Sequence, residues 1–224
     1  MTKIVHPYAY RLVVLRDWKS RWFADTKKYC EYLKGDILIR EYLEKKLRGS
    51  YISVIEIERN PKMTRFIIQT SRPGLILGRS GEGIIKLKAD ILKQFTKLKI
   101  TKPEDLKIDI VEVSNPEADA AIIAYTIAEG LEKRMPYRRV IKQTAEKVMN
   151  ARGVVGVRIL LGGRLGGAEI ARSEELKRGS IPLQTIRAFI DFKSEYAKLA
   201  YGLIGIKVWI YRGEVFSNKK KEIF

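Results

Sequence analysis

Between positions 51 and 70 the chain reads as two short runs of alternating apolar and polar residues, 51–59 and 64–70, the period of half-buried strands. The pattern then changes. A short apolar stretch, Leu75-Ile76-Leu77, leads to a tight glycine turn, after which Ile84, Ile85, Leu87, Ile91 and Leu92 fall at near-helical spacing. A third strand pattern follows at 107–113. Upstream, Thr26 is placed to cap a helix that Gly35 stops, and Asp36 to cap another that ends at Gly49. In that second helix Ile37, Leu38, Tyr42, Leu43 and Leu47 form the predicted buried stripe, with Arg40, Lys45, Lys46 and Arg48 in water.

The second half opens on Ser114-Asn115-Pro116-Glu117: a cap, a proline for the first turn and an acid that suits the helix dipole. The helix it starts runs to about residue 134. Met135-Pro136 then turns the chain into a helix over 137–150, where Val140, Ile141, Thr144, Ala145 and Val148 share one face at about 100° per residue. Four strand-patterned runs follow at 154–161, 168–176, 185–192 and 202–211. The expected class is α+β, with two domains over 26–113 and 114–212, the second built of two helices backing a four-stranded sheet. Residues 1–25 read as an extended arm and 213–224 as a basic tail carrying Lys219, Lys220 and Lys221. A chain of 224 residues suffices for two modest cores.

The turn between the two helices of the first domain is Gly78-Arg79-Ser80-Gly81. Two glycines bracketing a basic and a hydroxyl residue let a phosphodiester backbone approach without meeting a Cβ. The N-terminus of the following helix points unpaired N–H groups at the same place. A lone Gly-x-x-Gly is weak, because a structural turn explains it equally well. The flanks decide: strand, strand, helix, loop, helix, strand is the element order of a type II KH fold, whose loop clamps about four nucleotides of single-stranded backbone. The candidate binding residues here are Arg72, Gly78, Arg79, Ser80, Gly81, Lys86 and Lys88, and the lysine-rich second helix, through Lys93, Lys97 and Lys99, reads as a positive wall beside the loop.

Charge sharpens this. Lys and Arg number 44 against 26 Asp and Glu, a net +18 with a pI near 9.9, so a polyanion is the expected partner. The segment 112–132 holds acids and no base and is no RNA surface, whereas Lys133, Arg134, Arg138, Arg139, Lys142, Lys147 and Arg152 form the densest positive run, opposed by Glu146 alone. Arg138, Arg139 and Lys142 share an arc opposite the apolar face of their helix. Gly162-Gly163-Arg164-Leu165-Gly166-Gly167 joins two strands as a connection with positive-φ positions, from which Arg164 can reach RNA; no P-loop or dinucleotide fingerprint is present. Basic and aromatic residues interleave at Arg16, Trp18, Lys19, Arg21, Trp22 and Phe23, either to stack on nucleotides or to pin the arm onto the first domain. Cys30 is alone, His6 is the single histidine and lies in the arm, and no metal-ligand spacing occurs, so no enzyme, metal or cofactor is expected. No signal core or membrane span is present, which predicts a cytoplasmic protein without a membrane partner.

Three longer stretches resemble one family: Gly163-Arg164-Leu165-Gly166-Gly167-Ala168-Glu169-Ile170-Ala171-Arg172, Ile181-Pro182-Leu183-Gln184-Thr185-Ile186-Arg187-Ala188, and Tyr201-Gly202-Leu203-Ile204-Gly205-Ile206-Lys207-Val208-Trp209-Ile210. With Arg72-Pro73-Gly74 and Trp22-Phe23-Ala24 they are similar to small-subunit ribosomal protein S-three, in its bacterial form. The sequence departs from that pattern in two places: the KH loop has one base where bacterial members usually carry two lysines, and Ala9 stands where a glycine is usual. The resemblance implies a structural RNA-binding protein of the small-subunit head. It implies contacts with head ribosomal RNA and neighbours S-ten and S-fourteen; Arg164 and Arg172 are expected as other RNA contacts. It further implies a place beside S-four and S-five where messenger RNA enters, with Arg138, Arg139 and Lys142 assisting its unwinding. A free-standing KH regulator of transcripts and a lysine-dependent nucleic-acid lyase are the alternatives.

Overall fold

A computed structural model describes residues 5–60, 63–98, 103 and 105–216, with the backbone alone for Lys27 and Ser80; Lys99 and the tail lysines Lys219, Lys220 and Lys221 lie outside the described residues. Helix α1 (Pro7–Tyr10) belongs to a unit that joins the residues up to Asp17 with those from Asn115 onward. Trp18–Ser114 forms the other unit. No described helix is long and apolar enough to cross a membrane.

The Trp18–Ser114 unit runs β1 (Ser20–Arg21), α2 (Thr26–Lys46), β2 (Ile52–Arg59), β3 (Met63–Thr70), α3 (Pro73–Leu77), α4 (Glu82–Lys97) and β4 (Asp105–Glu112). Its sheet has the order β1-β2-β3-β4, with β2 and β3 antiparallel and β3 and β4 parallel. A parallel pair needs a crossover, and α3, the glycine turn and α4 supply it. Along β3 burial alternates strictly, Thr64, Phe66, Ile68 and Thr70 pointing inward. Against that face α4 lays Leu87, Ile91 and Phe95, one per helical turn, and α2 lays Ile39 and Leu43.

Two expectations for this unit are corrected. Gly35 ends no helix, since α2 runs unbroken from Thr26 to Lys46. Asp36 caps nothing. It is buried inside α2, where Arg59 donates to Oδ1 from Nε at 2.9 Å and Nη2 at 2.5 Å, and Trp22 Nε1 donates to Oδ2 at 2.7 Å. With that carboxylate turned inward, the buried stripe takes in Ile39 and Leu43, and Ile37 is exposed. Trp22 thus ties its segment to this unit, whereas Trp18 stays largely in water.

The other unit continues with α5 (Ala120–Glu132), α6 (Tyr137–Asn150), β5 (Gly156–Gly163), β6 (Arg172–Gly179), β7 (Ala188–Leu199) and β8 (Gly202–Glu214). The sheet is antiparallel throughout, in the order β6-β5-β8-β7. Its inner face, with Ile159, Leu161, Ile204, Ile206 and Val208, packs on α5 and α6. The α5 cap is Asp119, whose carboxylate accepts from the N–H groups of Ala121 at 2.8 Å and Ile122 at 3.2 Å. Asn115 instead precedes a single 3-10 turn, Pro116–Ala118, so the helix starts later than its proline suggests.

The N-terminal segment, expected as an extended arm, is packed against this sheet along β7. Arg11 is buried, and its guanidinium donates to the carbonyls of Ala188 (2.7 Å), Pro7 (3.0 Å), Leu183 (2.9 Å) and Thr185 (2.9 Å). Burial lowers its pKa from the ordinary arginine value, and no carboxylate bonds to it among the described residues. His6 is equally fixed: its ring meets Phe192 edge-on, centroids 4.9 Å apart, and its Nδ1 accepts from the Ala9 N–H. Asp191, on β7, accepts from Arg16 at 3.0 Å and from the N–H groups of Ala120 and Phe192. Burial works against its charge, but Arg16, Arg212 and those N–H groups prevail and hold its carboxyl below the usual carboxylate range.

Candidate nucleic-acid interface

The first site starts from two glycines that no other residue could replace cheaply. Gly78 sits at φ 67°, ψ −176° and Gly81 at φ 79°, ψ 4°. Between them the chain makes one 3-10 turn, Arg79–Gly81, which presents the exposed Arg79. A third glycine, which spacing alone did not single out, closes the turn. A Cβ on Gly83 would lie 2.2 Å from the Ile76 carbonyl oxygen and 2.7 Å from that of Leu77, so α4 can start against α3 only without a side chain there. Arg72 enters the loop with its guanidinium 4.4 Å from the Tyr51 ring centroid, and its N–H donates to Thr70 Oγ1 at 3.1 Å. Tyr51 itself has φ 50° and is a second residue that sequence reasoning passed over.

Beside the turn, Leu75 and Ile85 are 64% and 70% exposed. Ile85, which falls in the helical period of the apolar residues, faces water and adds to an apolar flank on which bases can rest. The lysines of α4 are less of a wall than their number suggests. Lys86 meets Glu82 at 3.3 Å, Lys88 meets Asp105 at 3.7 Å and Lys93 meets Asp90 at 3.7 Å. Asp90 also accepts from Lys46, and this bond, more than any other influence, holds its carboxyl below the ordinary range.

The second site is α6. Its inner face buries Val140, Ile141, Thr144, Ala145 and Val148, the five positions set by the sequence period. The helix can sit close to α5 because Gly130 faces Val140, whose methyls lie 3.3 Å and 3.4 Å from where a Cβ would be. On the outer side Arg138, Arg139 and Lys142 are exposed. Arg138 meets Glu174 at 3.2 Å, and that carboxylate raises its pKa further. Arg139 and Lys142 have no ion-pair partner among the described residues. Lys133 is paired with Glu129 at 2.6 Å, and Arg134 stands at φ 60° in the turn between α5 and α6.

The glycine-rich connection after β5 has positive φ at Gly163, Gly166 and Gly167, and it is anchored by the buried Leu165. Arg164 is half-buried, with Nε on the Ala168 carbonyl at 2.9 Å and Nη1 on that of Tyr201 at 3.4 Å. Two of its donors therefore hold the connection in shape. Arg172, at the start of β6, is exposed.

A helix, two antiparallel strands, a glycine turn between two helices and a parallel third strand define a type II KH domain, here joined to a helix-backed four-stranded sheet. The KH domain model matches residues 38–118, and the family model described as Ribosomal protein S3, C-terminal domain matches 127–210. The chain is 45% identical to the small ribosomal subunit protein uS3 of Clostridium perfringens over 222 residues, 99% of this chain and 97% of that protein. It is 40% identical to uS3 of Pseudomonas aeruginosa over 223 residues, which cover 94% of that relative. The chain belongs to the ribosomal protein S3 family.

Proposed function

We propose that this protein is a structural, non-catalytic constituent of the cytoplasmic small ribosomal subunit, and that α6 meets incoming messenger RNA. The family membership supports the first statement. The second rests on one observation: α6 buries a continuous apolar face while Arg138, Arg139 and Lys142 project outward, two of them without a protein carboxylate among the described residues. Such a helix loses little by holding phosphates, because no internal ion pair of Arg139 or Lys142 has to be given up. Its grip on a single strand would favour the open form of a messenger hairpin. The KH turn, with Arg72, Gly78, Arg79, Ser80, Gly81, Lys86 and Lys88, is proposed as a second RNA-binding site, with Arg164 and Arg172 as further RNA contacts, and the protein as a whole as a ligand of head ribosomal RNA. Proteins S-ten and S-fourteen are the proposed neighbours, with S-four and S-five where messenger enters.

The test is the triple variant Arg138→Ala, Arg139→Ala, Lys142→Ala. Alanine favours helix and none of the three is buried, so the protein should fold and stay on small subunits through a high-salt wash. Unstructured messages should be translated nearly normally, and messages with a stable hairpin ahead of the reading site should stall. Wild-type passage through that hairpin by assembled mutant subunits would reduce these residues to a solvated helix face.

A further inference from the structure

We propose that the outer face of the second sheet carries a stacking site for an unpaired base of single-stranded RNA, with Tyr196 as its platform. Side chains along β7 and β8 alternate between faces. Ala197, Ile204, Ile206 and Val208 point to the helices, which puts Tyr196, Lys198, Leu203, Gly205 and Lys207 on the other side. One end of that outer face is covered, since Ile190, Phe192, Trp209 and Tyr211 pack with Ile181 and Leu183. The other end is open: Tyr196 is 57% and Leu203 60% exposed.

The register makes this open end flat. Tyr196 pairs with Gly205, and Gly205 pairs with Gly162 on β5, so the row beside the ring has no side chains across two strands. The Cβ position of Gly205 lies 3.9 Å from Tyr196 Cε1, and nothing comes within 4 Å of that of Gly162. The ring leans over Gly205, and a base stacked on it can extend over the bare backbone at Gly162. Charge selects the occupant. Lys198 and Lys207 are both exposed and lie two residues along their strands to either side of this row, about 7 Å away. The outer-face carboxylate in the row of Lys207, Glu175, is already held by Arg158 at 2.8 Å. An aromatic ring, a smooth floor and flanking ammonium groups suit a nucleobase with its phosphates. The site lies on the sheet face opposite α6 and does not depend on the reading of that helix.

The experiment uses the full chain and fluorescent hexauridylate, with affinities read by anisotropy. Every variant is made in the native background and in a background that combines the α6 triple alanine with Arg79→Asp, which weakens both the α6 surface and the KH turn. Tyr196→Leu keeps an apolar side chain over Gly205 but has no π-face, and it should weaken binding about five- to a hundredfold, the range that base–aromatic stacking gives. Tyr196→Phe keeps the ring and should bind within about twofold of the parent. Lys198→Gln with Lys207→Gln should flatten the log–log salt dependence by about 1.4. Unchanged affinity in Tyr196→Leu, with or without a lower melting temperature, would mean that the ring only covers Gly205, and the proposal fails. Equal losses in the Phe and Leu variants overturn it as well, because the hydroxyl and not the ring would then be at work. If the α6 triple alone abolishes hexauridylate binding, the platform fails and α6 stands. Residual binding that Tyr196→Leu removes supports the platform whatever α6 does.

Discussion

Helices α4 and α6 look alike as strings of letters, each amphipathic and studded with lysine or arginine, yet they present different fields. On α4, Lys86, Lys88 and Lys93 each face a carboxylate, and Lys46 of α2 adds a further claim on Asp90. On α6 a single one of the outward trio, Arg138, is claimed among the described residues. What α4 contributes to its site is backbone: a helix start pressed so closely on α3 that Gly83 has no room for a methyl. A basic surface is thus set by which acids the fold brings to it, and a glycine turn by how closely two segments must approach. Counting charges along the chain reveals neither.

The most severe way to break the comparison is at Gly83. Gly83→Ala forces a Cβ against the Ile76 and Leu77 carbonyls, which cannot give way as a side chain could, and should destabilise the KH unit by about 3 kcal/mol. Denaturant unfolding followed by far-UV circular dichroism checks this, and a loss below about 1 kcal/mol would mean that the two helices separate freely. Next come the α6 residues. Removing Arg138, Arg139 and Lys142 together should flatten the salt dependence of single-strand binding by about 1.4 to 2, at about 0.7 for each phosphate held by Arg139 and Lys142 and less for Arg138, which Glu174 already claims. The matching α4 triple, Lys86→Ala, Lys88→Ala and Lys93→Ala, should flatten it by well under half as much, because those ammonium groups already have partners. Equal slopes for the two triples would erase the distinction. The smallest effect is expected from Glu174→Gln, which releases Arg138 and should steepen the slope by at most about 0.7. A shallower slope in that variant would show that Glu174 positions Arg138 for RNA instead of competing with it.

Much of α6 was legible because everything that determines it is local. Proline at its N-cap and five buried positions at a 3.6 period, four of them apolar and the fifth Thr144, give its limits and its buried face without reference to any distant residue. The same local logic failed at α2. Gly35 and Asp36 carry strong stop and start signals, but Arg59 and Trp22, remote in sequence, give Asp36 a buried partnership that outweighs them. The glycines at 78 and 81 were readable as a turn, and Gly83 was not, since only the packing of α3 shows why it must be small. Of the acids that claim the α4 lysines, Asp105 was hidden for a similar reason, since it arrives from β4, whereas Glu82 and Asp90 stand four and three residues before Lys86 and Lys93 and were legible from spacing. Ile85 fits the helical period and yet faces water, because period alone does not say where a buried stripe ends.

The four carbonyls gathered by Arg11 bear on the order in which the chain is made. Pro7 is its near neighbour, but Leu183, Thr185 and Ala188 lie 172 to 177 residues further on. The unit they close is discontinuous, with the whole KH unit inserted between its first piece and the rest. During synthesis the KH unit can fold as soon as its own strands have emerged, while the segment before it waits for nearly the entire chain. A fragment starting at Asn115 would keep its helices and sheet but leave the Ala188, Leu183 and Thr185 carbonyls without their donor, and the Phe192 ring without His6. The segment around Arg11 is translated before the whole KH unit and finds its place only after it.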